Sequence, residues 1–307
     1  MQIVWMVILI FLCLGAPLGA RESAFSLPSL DRSAMAMASG EAGAYLSGLD
    51  ALGTNPAGLS GAKREWNATY RQMPLDTNVS GTALSWPFAS LRTTLAVSYS
   101  ALRSADLERR TSTGDLAGTF QQEDQMMGLH GAHPFVLGGL EIVGGVSVKG
   151  IQSRVDHYSG TGLAVDLGLR HTFHGGPLTL AVSALNLGKG PKLLKERSAL
   201  PTSFGISGTY QARTPIAIFG GASYQSGQDI STISLGAEYR IGKIVAFRGH
   251  YAFGTGAEGN SGLGKMVGGI GVFLGNVRLD YAFQPAGEEL SDAGAPATQH
   301  ATLTLAF

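Results

Sequence analysis

An alternation of apolar and polar residues with period two recurs along this chain from near residue 66 to its last residue, and it limits the possible folds more than any other feature. At the end of the chain Ala301, Leu303, Leu305 and Phe307 alternate with His300, Thr302, Thr304 and Ala306. Val277, Leu279, Tyr281 and Phe283 interleave with Arg278, Asp280 and Ala282, and Val245, Phe247, Tyr251 and Phe253 with Ala246, Arg248, His250 and Ala252. Period two is the signature of a strand, whose successive side chains point to opposite faces. Each segment therefore carries one apolar face and one polar or small face. About fourteen such strands are expected, from 66–73 to 297–307, with one over 117–134 and one over 199–213.

Alternation serves a soluble sandwich as well as a membrane barrel, so the connections arbitrate. Turns after even-numbered strands are short, as at Ala89-Ser90, Gly175-Gly176, Arg213-Thr214, Gly242-Lys243 and Gly275-Asn276. Most connections after odd-numbered strands are longer and polar: Ala105–Leu116, Gly188–Ala199, Gly254–Leu263 and Pro285–Thr298. This asymmetry is that of an all-β, closed, up-and-down transmembrane barrel with both termini on the periplasmic side. Glycine leading a two-residue turn at Gly275-Asn276 suits type II′, which sets Leu274 opposite Val277, Val272 opposite Leu279 and Ile270 opposite Tyr281. A turn at 242–244 likewise sets Glu238 opposite Arg248. The polar face then collects Asp166, Arg170, Glu238, Arg240, Arg248, His250, Arg278 and Asp280. A sandwich would have to bury that face, whereas a barrel makes it the wall of the lumen.

Composition removes other classes. The 307 residues carry 22 Lys+Arg against 22 Asp+Glu, a balance that argues against nucleic acid as a partner. The single cysteine, Cys13, excludes a disulfide framework and a cysteine-based zinc site. It lies in the apolar run Ile3–Ala16, which ends at Pro17-Leu-Gly-Ala20 and reads as a signal peptide over residues 1–20. Residues 21–62 are rich in Ala, Met, Gly and Ser and close on the turn-forming Asn55-Pro56-Ala57-Gly58-Leu59. A wide barrel needs filling if it is not to leak. Residues 21–62 are therefore expected to form a hatch inside the lumen of a barrel spanning residues 63–307.

Motifs for catalysis fail on context. Gly254-Thr-Gly-Ala-Glu-Gly259 fits a dinucleotide fingerprint, but it leads through Asn260-Ser-Gly-Leu-Gly264 into another strand instead of a helix. His130 with His133, and His171 with His174, have a spacing that brings ligands together on a helix and separates them on a strand. No G-x-S-x-G nucleophile elbow occurs. A non-enzymatic protein without cofactor or metal is expected.

Several short motifs together resemble the PorV/PorQ-type outer-membrane barrels, relatives of the FadL long-chain fatty-acid transporters. They are Asp31-Arg32-Ser-Ala-Met-Ala-Met37, Gly43-Ala44-Tyr45-Leu46, Asn55-Pro56-Ala57-Gly58-Leu59, Ala184-Leu185-Asn186-Leu187-Gly188, Leu200-Pro201-Thr202, Gly236-Ala237-Glu238-Tyr239 and Leu279-Asp280-Tyr281-Ala282-Phe283. The resemblance implies a fourteen-stranded barrel in the bacterial outer membrane, surrounded by its lipid, with Asn55, Pro56 and Ala57 in an N-terminal hatch. It also implies that Phe307 serves as the signal read by the barrel assembly machinery. The function it implies first is docking of secreted cargo or of secretion-system subunits in type IX-like surface delivery. The alternative is a FadL-like passive channel for hydrophobic small molecules, for which Met35, Met37, Tyr45 and Leu46 are the hatch residues that would line a pocket.

Overall fold

The computed structural model describes residues 27–30, 32–74, 76–173, 176–193, 196–211, 215–226, 229–255, 265–286 and 297–307. The expected signal peptide lies outside these residues, as do His174, Gly175, most of Gly254–Leu263 and most of Pro285–Thr298. The strands in chain order are β1 (Glu65–Met73), β2 (Thr77–Phe88), β3 (Thr93–Arg103), β4 (Leu107–Arg110), β5 (Leu116–Phe120), β6 (Gln122–Leu137), β7 (Leu140–Val155), β8 (Tyr158–Thr172) and β9 (Leu178–Lys189). They continue as β10 (Lys192–Leu193), β11 (Glu196–Arg197), β12 (Ser203–Gln211), β13 (Ile216–Gln225), β14 (Ile230–Ile241), β15 (Val245–Thr255), β16 (Lys265–Leu274), β17 (Val277–Gln284) and β18 (Thr298–Ala306). Fourteen of them form one closed antiparallel barrel, sealed where β1 pairs with both β2 and β18. The other four make two small hairpins, β4–β5 and β10–β11, in the connections at the outer end.

Turn chemistry sets the register. Gly275 takes φ 62° while Asn276 does not, the pattern of a type II′ turn, and Leu274 pairs with Val277, Val272 with Leu279 and Ile270 with Tyr281. Gly138 and Gly139 take φ 60° and 80° and join β6 to β7 through the pair Leu137–Leu140. Glu238 stands opposite Arg248 on β14 and β15. One expectation needs correction. The stretch read as a loop at 105–116 and one strand at 117–134 is a protruding hairpin followed by a separate strand, because Gln121 interrupts the pairing. Leu107–Arg110 and Leu116–Phe120 do not alternate apolar with polar residues in the barrel manner, since both faces of this hairpin meet solvent.

The wall has an apolar outside. Leu129, Leu163, Ile206, Ile233, Leu235, Phe253 and Met266 are each more than half exposed. No helix among the described residues is long and apolar enough to cross a membrane. Exposed aromatics lie near both ends of the wall: Tyr70, Tyr158 and Tyr224 at the outer end, and Trp86, Phe135, Phe173 and Tyr239 at the turn end. Such girdles mark the two interfaces of an outer-membrane barrel.

Inside the ring the N-terminal segment is built from short helices at Leu27–Leu30 and Ala34–Ser39 and from 3-10 turns at Gly48–Ala51 and Pro56–Leu59. Ser33 caps the second helix, accepting from the amide of Ala36. The small side chains Ala34, Ala36, Ala38, Ala42, Ala44 and Ala51 are all buried, which lets the segment pack its backbone against the wall. A charge placed on the lipid face is expected to be far more harmful than the same change inside. Leu235→Arg should destabilise the barrel by about 2–4 kcal/mol if it lies near the bilayer midplane, measured as a shift of the urea unfolding midpoint in phospholipid vesicles.

Candidate functional site

The lumen and the segment within it contain the buried charges and are the candidate site. The Asn55-Pro56-Ala57 turn is seated by bonds at both ends of the Asn55 amide. Its Oδ1 accepts from the amide of Ala57 at 2.9 Å, and its Nδ2 donates to the carbonyls of Leu169 and Val182 at 3.3 and 3.0 Å. Pro56 at the start of the 3-10 turn has no amide to satisfy and fixes the turn's φ. The wall makes room with two glycines that pair across β7 and β8, Gly145 and Gly168. A Cβ on Gly145 would lie 2.1 Å from the amide of Ala57, and one on Gly168 would lie 2.0 Å from Asn55 Oδ1.

Five of the eight lumen charges expected from sequence meet in one ladder. Arg240 pairs with Glu238 at 2.9 Å, Arg248 bridges Glu238 at 2.6 Å and Asp280 at 2.5 Å, and Arg278 holds Asp280 at 2.7 Å. The ladder ends on Asp50 of the N-terminal segment, which pairs with Arg278. Its three bases and three acids alternate and neutralise one another. Arg248 reaches Asp280 across the whole of β16 because the intervening residue is Gly271, where a Cβ would meet the Arg248 guanidinium at 2.7 Å.

The remaining three are placed elsewhere in the lumen. Arg170 donates to the carbonyl of Leu46 at 3.2 Å and His250 to that of Ala38 at 3.1 Å, so both hold the segment's backbone. Asp166 pairs with Lys149 at 2.6 Å, both fully buried. It stands where two residues of β9, Leu185 and Asn186, oppose one of β8, and its Oδ1 accepts the Asn186 amide at 2.7 Å. Asn186 also accepts from Lys149 and donates to the carbonyl of Pro201. Two of the quoted motifs, Ala184–Gly188 and Leu200–Thr202, are thereby joined at one node. Phe307 stands exposed at the turn end, its amide donating to the carbonyl of Arg64.

Sequence reading missed Lys149, Asp50 and Glu65, the last of which accepts the amide of Leu49 at 2.9 Å. Lys149 was visible in principle, lying two residues from Ser147 on the polar face of β7. Asp50 was not, since nothing local aims it at Arg278. The expected divergence of the histidines is what the strand imposes: His130 bonds Ser98 and Ser147 inside the wall, while His133 is exposed beside Thr93. Among the described residues no group of three or more His, Cys, Asp or Glu could hold a metal ion.

Within the segment Glu41 pairs with Arg32 at 3.2 Å. Burial opposes ionisation of this carboxyl, but the Arg32 guanidinium overrides it and holds Glu41 below the usual carboxylate range. The pair therefore stabilises the segment at neutral pH and is lost only as pH falls through that lowered value. The nominated Met35, Tyr45 and Leu46 pack with Ala217 and Phe219, and Met37 packs with Val267 and Ala282, so among the described residues they make contacts between segment and wall. A further apolar cluster does lie inside the outer half of the barrel, made of Leu27, Val79, Leu102, Met126, Ile151, Ala164 and Leu200. The lumen is thus less uniformly polar than the alternation predicts.

Between segment and wall remain cavities of about 30, 70 and 10 Å³. The first is lined by Arg32, Asp50, Asn67, Thr69, Gly81, Thr82, Ala83 and Ser98. On the outside of the same wall is an apolar groove of about 680 Å³ lined by Trp66, Leu84, Val97, Met127, Leu129 and Val148. Thr82, Ala83 and Ser98 border both.

These features define a closed outer-membrane β-barrel whose N-terminal segment packs against the inward face of the wall. No protein-family model and no curated protein matches the sequence. Solved structures do share the fold. The toluene transporter TbuX of Ralstonia pickettii aligns with a TM-score of 0.57 at 14% identity, covering 94% of this chain and 95% of that one. CymD, a monoaromatic hydrocarbon channel, aligns with a TM-score of 0.59 at 12% identity over 95% and 99% of the two chains. A FadL homologue of Pseudomonas aeruginosa gives 0.56 at 11% identity over 94% and 98%. The fold is therefore one shared with a FadL homologue and with two hydrocarbon channels, and the comparisons give no support for the narrower PorV/PorQ assignment.

Two outcomes follow from the geometry. Arg248→Met should cost about 3–5 kcal/mol in the unfolding of the barrel from bilayers, because it leaves Glu238 and Asp280 buried with fewer counter-charges. Gly168→Val should dislodge the Asn55 turn while the barrel stays closed, seen as faster hydrogen exchange over residues 50–60 with unchanged exchange in β12 to β18.

Proposed function

We propose that the protein is a passive outer-membrane channel for hydrophobic small molecules, with the segment before β1 acting as its hatch. The observation that carries this reading is the meeting of the inner cavity and the outer apolar groove at Thr82, Ala83 and Ser98. At that point only small side chains separate lumen from lipid. Above it the inward faces of β2, β3 and β6 place Val79, Leu102 and Met126 in an apolar cluster under Leu27, a region that would favour a hydrocarbon entering from outside once Leu27 is displaced. The fold's likeness to a toluene transporter and a monoaromatic hydrocarbon channel supports the same class of substrate.

Among the described residues the cavities beside Thr82, Ala83 and Ser98 are small, and passage at that point has the hatch shift. Asp50 paired with Arg278, together with Arg170 and His250, helps to hold it, and the Asn55 turn is its anchor on β8 and β9. The surface-delivery reading, with cargo or secretion subunits docked on the outer connections, draws on no such observation. Phe307 retains its proposed part as the residue read by the assembly machinery.

Expression of the protein in cells deprived of their own hydrocarbon channels should raise uptake of labelled toluene. Ala83→Phe, which fills the shared wall, should return uptake to background, while heat-modifiable mobility on a gel reports an intact barrel. Asp50→Asn, which frees one hold on the hatch, should not lower it. Uptake no greater than in cells carrying an empty vector would sink the assignment.

A further inference from the structure

The outward face around the apolar groove is layered in a way that transport does not require. Strand register sets the layers. Tyr99, Met127 and Gly150 form one row across β3, β6 and β7, with the row of Val97, Leu129 and Val148 below it toward the turn end. The next row toward the outer end is Ala101, Gln125 and Gln152, and above that stand Arg103, Glu123 and Arg154. Tyr70 shares the height of Ala101 through Ser80 and belongs to the outer aromatic girdle, so the charged row sits at the level of the headgroups.

The charges in that row do not balance. Arg103 donates to Glu123 at 3.0 and 3.2 Å, yet its side chain remains 74% exposed. Arg154, opposite Glu123, is exposed and makes no salt bridge among the described residues. Two guanidinium groups thus flank one carboxylate, one positive charge in excess, on a surface whose lower part is an apolar groove inside the bilayer belt. The groove has a notch at Gly150, where an added Cβ would meet nothing within 4 Å. What lies against this face is lipid, and the chemistry that fits it is an acyl chain beneath an anionic headgroup. Arginine forks bind phosphate oxygens in pairs, which a carboxylate neighbour does not prevent.

We propose that this face of β3, β6 and β7 is a docking site for the phosphorylated glycolipid of the outer leaflet, lipid A, with one acyl chain in the groove and a phosphate on Arg103 and Arg154. The site is read from the outward face alone and does not rest on the channel reading, since lipid can be held without uptake and uptake can proceed without held lipid.

The full protein, extracted in mild detergent from membranes containing lipid A, is examined by native mass spectrometry. The unaltered protein is expected to retain lipid A. Gly150→Phe, which fills the notch from an open position, and the double change Arg103→Gln with Arg154→Gln should each lower occupancy by about tenfold, the effect of losing about 1.4 kcal/mol of contact. Added lipid A stripped of its phosphates should bind the unaltered protein no better than intact lipid A binds the double variant. Equal retention by all three proteins, or none by the unaltered one, would overturn the proposal. Loss with Gly150→Phe but not with the arginine changes would overturn the phosphate contact. Heat-modifiable mobility confirms that each variant is folded.

Discussion

A strand in a bilayer has no water to bond its amides and carbonyls, so every one of them must find a partner on a neighbouring strand. The rest of this molecule depends on that requirement. It is met here only because β1 pairs on one side with β2 and on the other with β18, which leaves the ring without an edge. Closure then sorts the side chains: the period of two sends every second residue into lipid and the others into an enclosed space. The outside could be filled with any large apolar residue, and Leu, Ile, Val, Phe and Tyr share it. The inside had to be filled by something that satisfies polar groups at close range.

The N-terminal segment provides that filling, and its fit rests on small residues from both sides. Ala34, Ala36 and Ala38 bring the segment close to the wall, and the wall answers with Gly145, Gly168, Gly221 and Gly269, at each of which a side chain would strike the segment. Buried charges come with closeness of this kind. Burying them singly would be costly, and here they are buried as an alternating ladder from Arg240 to Asp50 and as the Lys149–Asp166 pair. Such pairs contribute less to net stability than to position, since any other placement of Asp50 would leave Arg278 short of a partner. The segment is thus held both by apolar packing, as of Tyr45 and Leu46 on Ala217 and Phe219 and of Leu49, Leu52 and Leu59 on Ala83, Ala96 and Ala132, and by a few directional polar contacts that fix its position.

Much of the barrel was legible in the sequence because alternation and turn chemistry are local. The register of the hairpin at Gly275-Asn276, the pairing of Glu238 with Arg248 and the number of strands follow from residues close to one another in the chain. The protruding hairpin β4–β5 was not legible, because Leu107–Arg110 and Leu116–Phe120 are exposed on both faces and lose the alternation that marks the wall. The apolar patch of Val79, Leu102, Met126 and Ile151 inside the lumen escaped for a related reason. Each residue alternates with a polar one, Asn78, Arg103, Gln125 or Gln152, and alternation alone does not say that near the outer end the apolar face is the inward one.

The sequence by itself determined that the chain crosses the membrane with strands, that one face is greasy and the other polar, and where most turns fall, because these depend on interactions spanning a few residues. Only the tertiary structure decided which polar residues meet. Arg248 finds Asp280 across a glycine strand, Asn55 finds the carbonyls of Leu169 and Val182, and Asp50 finds Arg278 more than two hundred residues away. Those meetings depend on how the ring closes and on how a separate segment lies within it, and no local pattern carries that information.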